Sequence, residues 1–203
     1  MYALVEDGSI SKIITNPKAM VIGDVRYPAK IFQLWSQSEL NAIGIYEVIT
    51  DSTNKKDEAY YINTNEEYNF ADNQVTRSWG TATPKRLNDE NAVYENGDPV
   101  LDDDGVQLIN YGLKTDKKRI IKQQASGLLE KTDWHNHKAL DDDTYTIPDN
   151  VKTYRSNVRS KSNEMETQID ACTTVEQLET LYTYTTDDDG VQSRPLAEFP
   201  KEI

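Results

Sequence analysis

The spacing of the apolar residues changes near residue 114, and this change constrains the fold more than any other feature of the sequence. Before it, short runs rich in β-branched and aromatic residues, such as 2–5 and 45–49, are separated by turns that contain Gly, Asn and Asp, which is typical of strands and hairpins. After it, apolar residues recur at every third or fourth position, as on one face of a helix. The sequence therefore predicts an α+β fold, in which a small β-rich N-terminal domain precedes a C-terminal helical hairpin with an extended tail.

Turn and cap signals divide the chain further. A hairpin around Gly8 and a helix opened by a capping box from Ser36 to Glu39 are expected near the start. That helix is expected to stop at Gly44, and a second hairpin is expected to turn at 71–74. We predict four segments: a small α+β module at 1–50, a β-hairpin-rich region with acidic loops at 51–112, a helical hairpin with a short third helix at 113–183, and an extended tail at 184–203.

Two helices are expected at 114–130 and 150–172. One face of the first helix is a stripe formed by Ile120, Ile121, Gln124, Ala125, Leu128 and Leu129. On the second helix, apolar residues occupy about two positions in every seven and form a narrow seam. Such a seam is typical of a helix that is buried against one partner helix. This seam comprises Val151, Tyr154, Val158, Met165, Ile169 and Cys172.

Charge and composition limit the partners. The net charge is −13, from 35 acidic against 22 basic residues, so the surface repels nucleic acid and anionic membranes. The sequence shows neither a signal peptide nor an apolar run long enough to span a bilayer. Cys172 is the single cysteine, so no internal disulfide is expected.

The hexapeptide Asp-Asp-Asp-Gly-Val-Gln occurs twice, at 102–107 and 187–192. Acidic residues before a glycine resemble the start of a helix–loop–helix calcium site. In that register the twelfth position, which requires a bidentate Glu, falls on Tyr111 or Leu196. Acidic β-turns therefore explain both copies better.

Catalytic signals are weak. His135 and His137 would share one face of a strand and are weak metal-ligand candidates, with a solvated loop as the default. The sequence contains no phosphate-binding glycine loop, nucleophile elbow or zinc-protease motif. We therefore expect a protein that is not an enzyme and that needs no cofactor.

Aromatic residues beside turns are the stronger signal, because Trp and Tyr dominate binding hot spots. The candidate partner-binding residues are Trp35, Trp79, Tyr60 and Tyr61.

Two parts of the chain resemble phage proteins. The stretch from Arg119 through Thr132-Asp133-Trp134 to Tyr154-Arg155-Ser156-Asn157-Val158-Arg159 resembles the phage tail fibre assembly chaperone and tail accessory families. The block at 1–48 is similar to the opening domain of tail-associated proteins of marine tailed phages. The motif residues are Arg119, Leu129, Asp133, Trp134, Tyr154, Arg155 and Arg159. We expect Trp134 to fold back on the helical hairpin and, with Tyr154, to hold it together.

The resemblance implies a small protein that binds a trimeric tail fibre, its attachment point or another tail protein, as an assembly chaperone or a retained connector. It would be located in the virion tail or in the host cytoplasm during assembly. The β-rich part would dock by edge-strand addition or an aromatic patch, and homo- or hetero-oligomers in the virion are possible. Two alternatives remain open: a permanent virion component of the baseplate, neck or fibre network, and a metal-dependent glycan hydrolase of the tail that uses His135, His137 and nearby acids.

Overall fold

Short strands and two short helices make up the first part of the computed structural model, which describes residues 1–203. Its elements are β1 (Tyr2–Glu6), β2 (Ser9–Ile14), β3 (Met20–Ile22), β4 (Val25–Tyr27), α1 (Ile31–Leu34), α2 (Gln37–Ala42), β5 (Ile45–Thr50), β6 (Tyr61–Ile62), β7 (Glu66–Ala71), β8 (Gln74–Trp79) and β9 (Thr83–Pro84). The β1–β2 hairpin turns at Asp7-Gly8 and the β7–β8 hairpin at Asp72-Asn73, with positive φ at all four residues. Two-residue hairpin turns of this kind match the twist of the strands. Both predicted hairpins are confirmed.

Five of these strands form one sheet in the order β2-β1-β5-β8-β7. β1 pairs antiparallel with β2 and β5, whereas β5 and β8 run parallel. Side chains alternate across β1, so that Leu4 packs with Ile45 and Leu40 of α2 on one face, while Ala3 packs with Val75 on the other. The central part of the sheet is therefore buried on both faces, and the edges of the sheet are β2 and β7.

The chain divides into two compact units, Met1–Thr83 and Pro84–Ile203. The predicted boundary after residue 50 is wrong, because β7 and β8 extend the sheet that β5 belongs to. The predicted boundary after 112 is also displaced, because the backbone N–H groups of Leu113 and Lys114 donate to the carbonyls of Arg86 and Leu87. Residues 84–112 therefore belong with the helices.

Helix α2 begins and ends as its sequence predicts. The Ser36 hydroxyl accepts from the backbone N–H of Glu39, and the Glu39 carboxylate accepts from that of Ser36, which completes the capping box. Gly44 follows the helix with φ +82°. Its carbonyl accepts a hydrogen bond from the Val5 N–H at 2.8 Å, so the end of the helix is tied directly to strand β1.

The second unit is mainly helical, and the α+β class is confirmed. Its elements are β10 (Glu90–Asn91), β11 (Ile109–Asn110), α3 (Leu113–Glu130), α4 (Asp133–Asp141), α5 (Asp149–Ala171), α6 (Val175–Tyr182), β12 (Thr185–Thr186) and β13 (Gln192–Ser193). Ion pairs Lys118–Asp170 and Lys122–Glu166 show that α3 and α5 pack antiparallel, as the predicted helical hairpin requires. No helix in the chain combines the length and apolar character needed to cross a bilayer.

The seam predicted on α5 is confirmed, since all six of its residues are buried. The stripe predicted on α3 is only partly correct. Ile121 and Ala125 are buried, whereas Ile120 is nearly half exposed. A helix that packs against a single partner buries a narrower arc than its apolar residues cover.

The C-terminal segment folds back on the helices. Thr185–Thr186 and Gln192–Ser193 pair as a small antiparallel hairpin, and Leu196 beyond it is buried. The Gln168 side chain holds this segment, because its amide donates to the Pro195 carbonyl and its oxygen accepts from the Ala197 N–H. The tail predicted at 184–203 therefore includes a docked stretch that contributes to the core.

Candidate functional site

Three of the four aromatic residues predicted to bind a partner are buried. Trp79 is 8% exposed, Tyr60 5% and Tyr61 2%. The Trp79 ring also lies beneath the cations of Lys55 and Arg77, at 5.1 and 4.6 Å from its centroid. The prediction is wrong for these three side chains, because polar loop sequence around an aromatic residue does not reveal that the loop folds over it.

Trp35 is the exception, with 37% of its surface exposed. Its ring packs edge-on against Tyr27 of β4, with centroids 5.8 Å apart. The neighbouring Leu34 is 75% exposed. Trp35 therefore remains a candidate contact residue on the first unit.

Three of the motif residues, Leu129, Asp133 and Arg155, meet where α3 ends and α5 passes it. The buried Arg155 guanidinium donates to the Leu129 carbonyl at 2.8 Å and to the Thr132 hydroxyl at 2.7 Å. It also pairs with the Asp133 carboxylate at 2.7 Å. One guanidinium thus binds the last turn of α3, one of the two connecting residues and the first turn of α4, because Arg carries several donors in a fixed planar fork.

The remaining motif residues contribute less to this network. Trp134 is 54% exposed and stacks on the adjacent His135 ring, with centroids 3.7 Å apart, so the prediction that it folds back on the hairpin is wrong. Arg119 pairs with Asp116 within its own helix. Arg159 reaches only the Arg155 carbonyl, at 3.5 Å. Arg155 therefore takes the fastening role that was predicted for Trp134.

Tyr154 packs as expected in the core with Ala125 and Val158. Its hydroxyl is buried and has no hydrogen-bond partner, and such a group costs about 1–3 kcal/mol. We therefore expect Tyr154→Phe to leave the free energy of unfolding unchanged or to raise it by about 1 kcal/mol, as measured by urea denaturation. Val158→Ala at the same contact should lower it by about 1–3 kcal/mol. A loss of stability in Tyr154→Phe would show that the hydroxyl has a partner.

The two histidines lie on helix α4 and not on a strand. Residues two apart on a helix project about 200° apart, so His135 and His137 do not share the face that a strand would give them. The solvated loop predicted by default at this position is wrong, because the segment is helical. The His135 Nδ1 hydrogen-bonds with the Tyr145 hydroxyl. No three His, Cys, Asp or Glu side chains are grouped so as to hold a metal ion. The geometry therefore gives the metal-hydrolase alternative no support.

Residues 90–111, here named the knob, form a closed β structure that was not predicted. Three residues spaced eight apart, Ala92, Val100 and Leu108, make a ring of backbone hydrogen bonds. The N–H of Ala92 donates to Leu108, that of Val100 to Ala92, and that of Leu108 to Val100, at 2.8–2.9 Å. The side-chain amide nitrogen of Gln107 lies 2.7–3.1 Å from all three ring carbonyls. The knob thus has approximate threefold symmetry.

The sequence carries a signal for this symmetry that our prediction missed. Apolar pairs begin at 92, 100 and 108, and glycines at 97 and 105 have φ of +88° and +79°. Both turns close in the same way, with Gly97 N–H donating to Tyr94 and Gly105 N–H to Asp102. Apolar pairs that recur every eight residues, with a positive-φ glycine in each of the two turns between them, are therefore the sequence pattern of the knob.

The hexapeptide forms the same acidic turn in both copies. Asp102 accepts at its side chain from the N–H groups of Asp104 and Val106, and Asp187 does the same in the second copy. The acidic-turn interpretation is confirmed. The second copy makes only a two-stranded hairpin.

Seven of the 19 exposed large apolar residues of the chain lie in the knob. Its exposed large apolar residues are Val93, Tyr94, Leu101, Val106, Leu108, Ile109 and Tyr111. The same 22 residues carry six carboxylates and no Lys or Arg. Large apolar patches with polar rims mark sites of protein interaction. The knob therefore combines exposed apolar side chains with a high density of negative charge.

A carboxylate holds the knob to the helical part. Asp89 accepts from the Gly112 N–H at 2.7 Å and from the Thr115 hydroxyl at 2.9 Å, at the first turn of α3. The hydrogen bond from Gly112, helped by that from Thr115 and by the charge of Lys118, lowers the pKa of Asp89. Side-chain acceptors at this position satisfy helix N–H groups that have no partner within the helix.

A lowered pKa in the folded state means that the Asp89 contribution to stability is present above the unfolded pKa of about 3.9 and is lost as pH falls through the folded value. We therefore expect Asp89→Asn to be less stable than wild type at neutral pH, and the difference to shrink below about pH 4. Urea denaturation across this pH range measures it. Asp103→Asn, at the exposed tip of the knob, is the matched control, and an equal pH-dependent loss in it would contradict the assignment.

Comparison of the chain with protein-family models, curated proteins and solved structures finds no match.

Proposed function

We propose that this chain is a non-enzymatic phage tail protein that binds tail fibres, as an assembly chaperone or as a connector retained between fibre and tail. The observation that carries the proposal is the knob, where seven exposed apolar side chains lie within 22 residues. Tyr94 and Tyr111 belong to this set, and exposed tyrosines are favoured anchors at protein interfaces. A surface of this kind supports a role in binding another protein.

The motif residues add support from the second unit. Leu129, Asp133 and Arg155, which carry part of the resemblance to tail fibre chaperones and accessory proteins, are joined in one hydrogen-bonded network. Such a network fixes the angle between two helices. In the proposed function it provides a rigid base from which a binding surface is displayed.

A chaperone role has a physical reason. Fibre chains expose apolar surface until they assemble, and exposed apolar surface promotes aggregation. A small partner with its own apolar surface covers that region. Its net charge of −13 keeps the complex dispersed through like-charge repulsion.

Co-purification with a tail fibre protein of the parent phage tests the binding function, and failure to bind any of them would overturn it. Quantitative mass spectrometry of purified particles then separates the two roles. A fixed copy number per particle identifies a retained connector in the virion tail. Absence from particles, together with binding to fibre protein in the host cytoplasm, identifies a chaperone that leaves after assembly.

A further inference from the structure

The approximate threefold symmetry of the knob places three exposed apolar side chains at equivalent positions. Val93, Leu101 and Ile109 each follow one residue of the hydrogen-bonded ring, and they are 58%, 49% and 46% exposed. Successive members are eight residues apart, as the ring residues are. The knob thus presents a similar aliphatic contact three times around one axis.

We infer that the knob binds on the threefold axis of a partner built from three identical subunits, with one copy of this chain per trimer. This inference rests on the proposed function and specifies the form of its partner. Identical subunits around an axis present identical patches to whatever lies on that axis. A surface with three similar contacts matches all three patches at once, whereas a surface without this symmetry matches one.

The charge of the knob sets the chemistry of the partner surface. Six carboxylates and no basic residue lie within residues 90–111, and one of the six, Glu90, pairs with Arg86. The remaining negative charge favours a partner surface that combines apolar residues with Lys or Arg. A second copy of the knob brings the same six carboxylates and is repelled. Phosphate-rich ligands are repelled for the same reason.

The experiment uses the full chain and a tail fibre protein of the parent phage as the probe, with size-exclusion chromatography and light scattering to give the mass of the complex. We expect one copy of the chain per fibre trimer. Affinity should fall as sodium chloride rises from about 0.05 to 0.5 M, because opposite charges at an exposed rim are screened. Three copies per trimer would overturn the inference while leaving the proposed function intact.

Single substitutions test the symmetry directly. Val93→Asp, Leu101→Asp and Ile109→Asp should each weaken binding by about tenfold or more, to a similar extent. Leu140→Asp, on α4 and 80% exposed, is the matched control and should bind like wild type. Because all four positions are exposed, circular dichroism should show folded variants.

The other outcomes of these experiments separate the inference from the proposed function. Normal binding by all three knob variants, or loss in only one of them, overturns the inference and not the proposed function. If the chain forms oligomers by itself and the same substitutions abolish them, a second copy of the chain occupies the knob. This outcome also overturns the inference. Failure of the wild-type chain to bind any tail fibre protein overturns the proposed function and the inference with it.

Discussion

Replacing Arg155 with methionine is expected to lower the free energy of unfolding of the second unit by about 2–4 kcal/mol. The Arg155 side chain is only 10% exposed, and its guanidinium is bonded to the Leu129 carbonyl, the Thr132 hydroxyl and the Asp133 carboxylate. Methionine fills part of the space but donates to none of these three acceptors. The Leu129 carbonyl keeps hydrogen bonds from the hydroxyl and the N–H of Thr132, so the Thr132 hydroxyl and the Asp133 carboxylate are the acceptors that lose a donor. The cost falls toward the lower end because the Asp133 side chain is 45% exposed and regains water.

Urea denaturation followed by far-UV circular dichroism measures this effect, because the long helices lie in the second unit. Arg159→Met is the matched control, since it removes the same charge one turn later from an exposed position and should cost less than about 0.5 kcal/mol. Arg155→Lys should recover only part of the loss, because an ammonium does not reproduce the planar fork. If Arg155→Met and Arg159→Met are equally stable, the hydrogen bonds of Arg155 do not contribute to holding α3, α4 and α5 together.

Replacing Gly44 with alanine is expected to cost the first unit about 3 kcal/mol or more. A Cβ atom at Gly44 would lie 2.5 Å from the carbonyl oxygen of Val5, well inside van der Waals contact. The obstacle is backbone in a buried sheet, which does not move aside as a flexible side chain does. Relief of the clash would break the Val5–Gly44 hydrogen bond that ties α2 to β1.

Gly8→Ala separates this close approach from the cost of the backbone conformation. Gly8 has φ +76°, close to that of Gly44, but a Cβ atom at Gly8 would meet no other atom within 4 Å. Its substitution should cost only about 1 kcal/mol. Fluorescence of Trp35 and Trp79, both in the first unit, reports unfolding in each case. Similar losses in the two variants would show that φ alone decides the effect.

Features set by neighbouring residues were predictable from the sequence. The capping box at Ser36 and Glu39, the turn at Asp72-Asn73 and the buried seam of α5 each depend on residues within a few turns of one another. In such cases the spacing of residues along the sequence predicts the local structure. The interacting groups are close in sequence, so their interaction does not depend on the rest of the fold.

Features that depend on distant segments were not predictable in this way. The parallel pairing of β5 with β8 joins residues 27 positions apart, as Val48 with Val75, and it shifts the domain boundary. Two lysines of the loop before β6 lie over buried aromatic rings, Lys55 over Trp79 and Lys56 over Tyr61, and the polar sequence of that loop does not indicate these contacts. Helix α4 was missed because its polar sequence has no apolar stripe and none of its residues is buried.

The hydrogen-bonded ring in the knob also affects how readily this surface aggregates. An exposed apolar strand usually carries a free backbone edge, on which strands of other molecules add and fibrils grow. Here Ala92, Val100 and Leu108 use both their N–H and their C=O groups within the ring, and Gln107 reaches the same carbonyls from its side chain. The knob therefore exposes apolar side chains on a backbone whose central N–H and C=O groups are already paired. Strands of other molecules find no free hydrogen-bonding groups there on which a cross-β fibril could start.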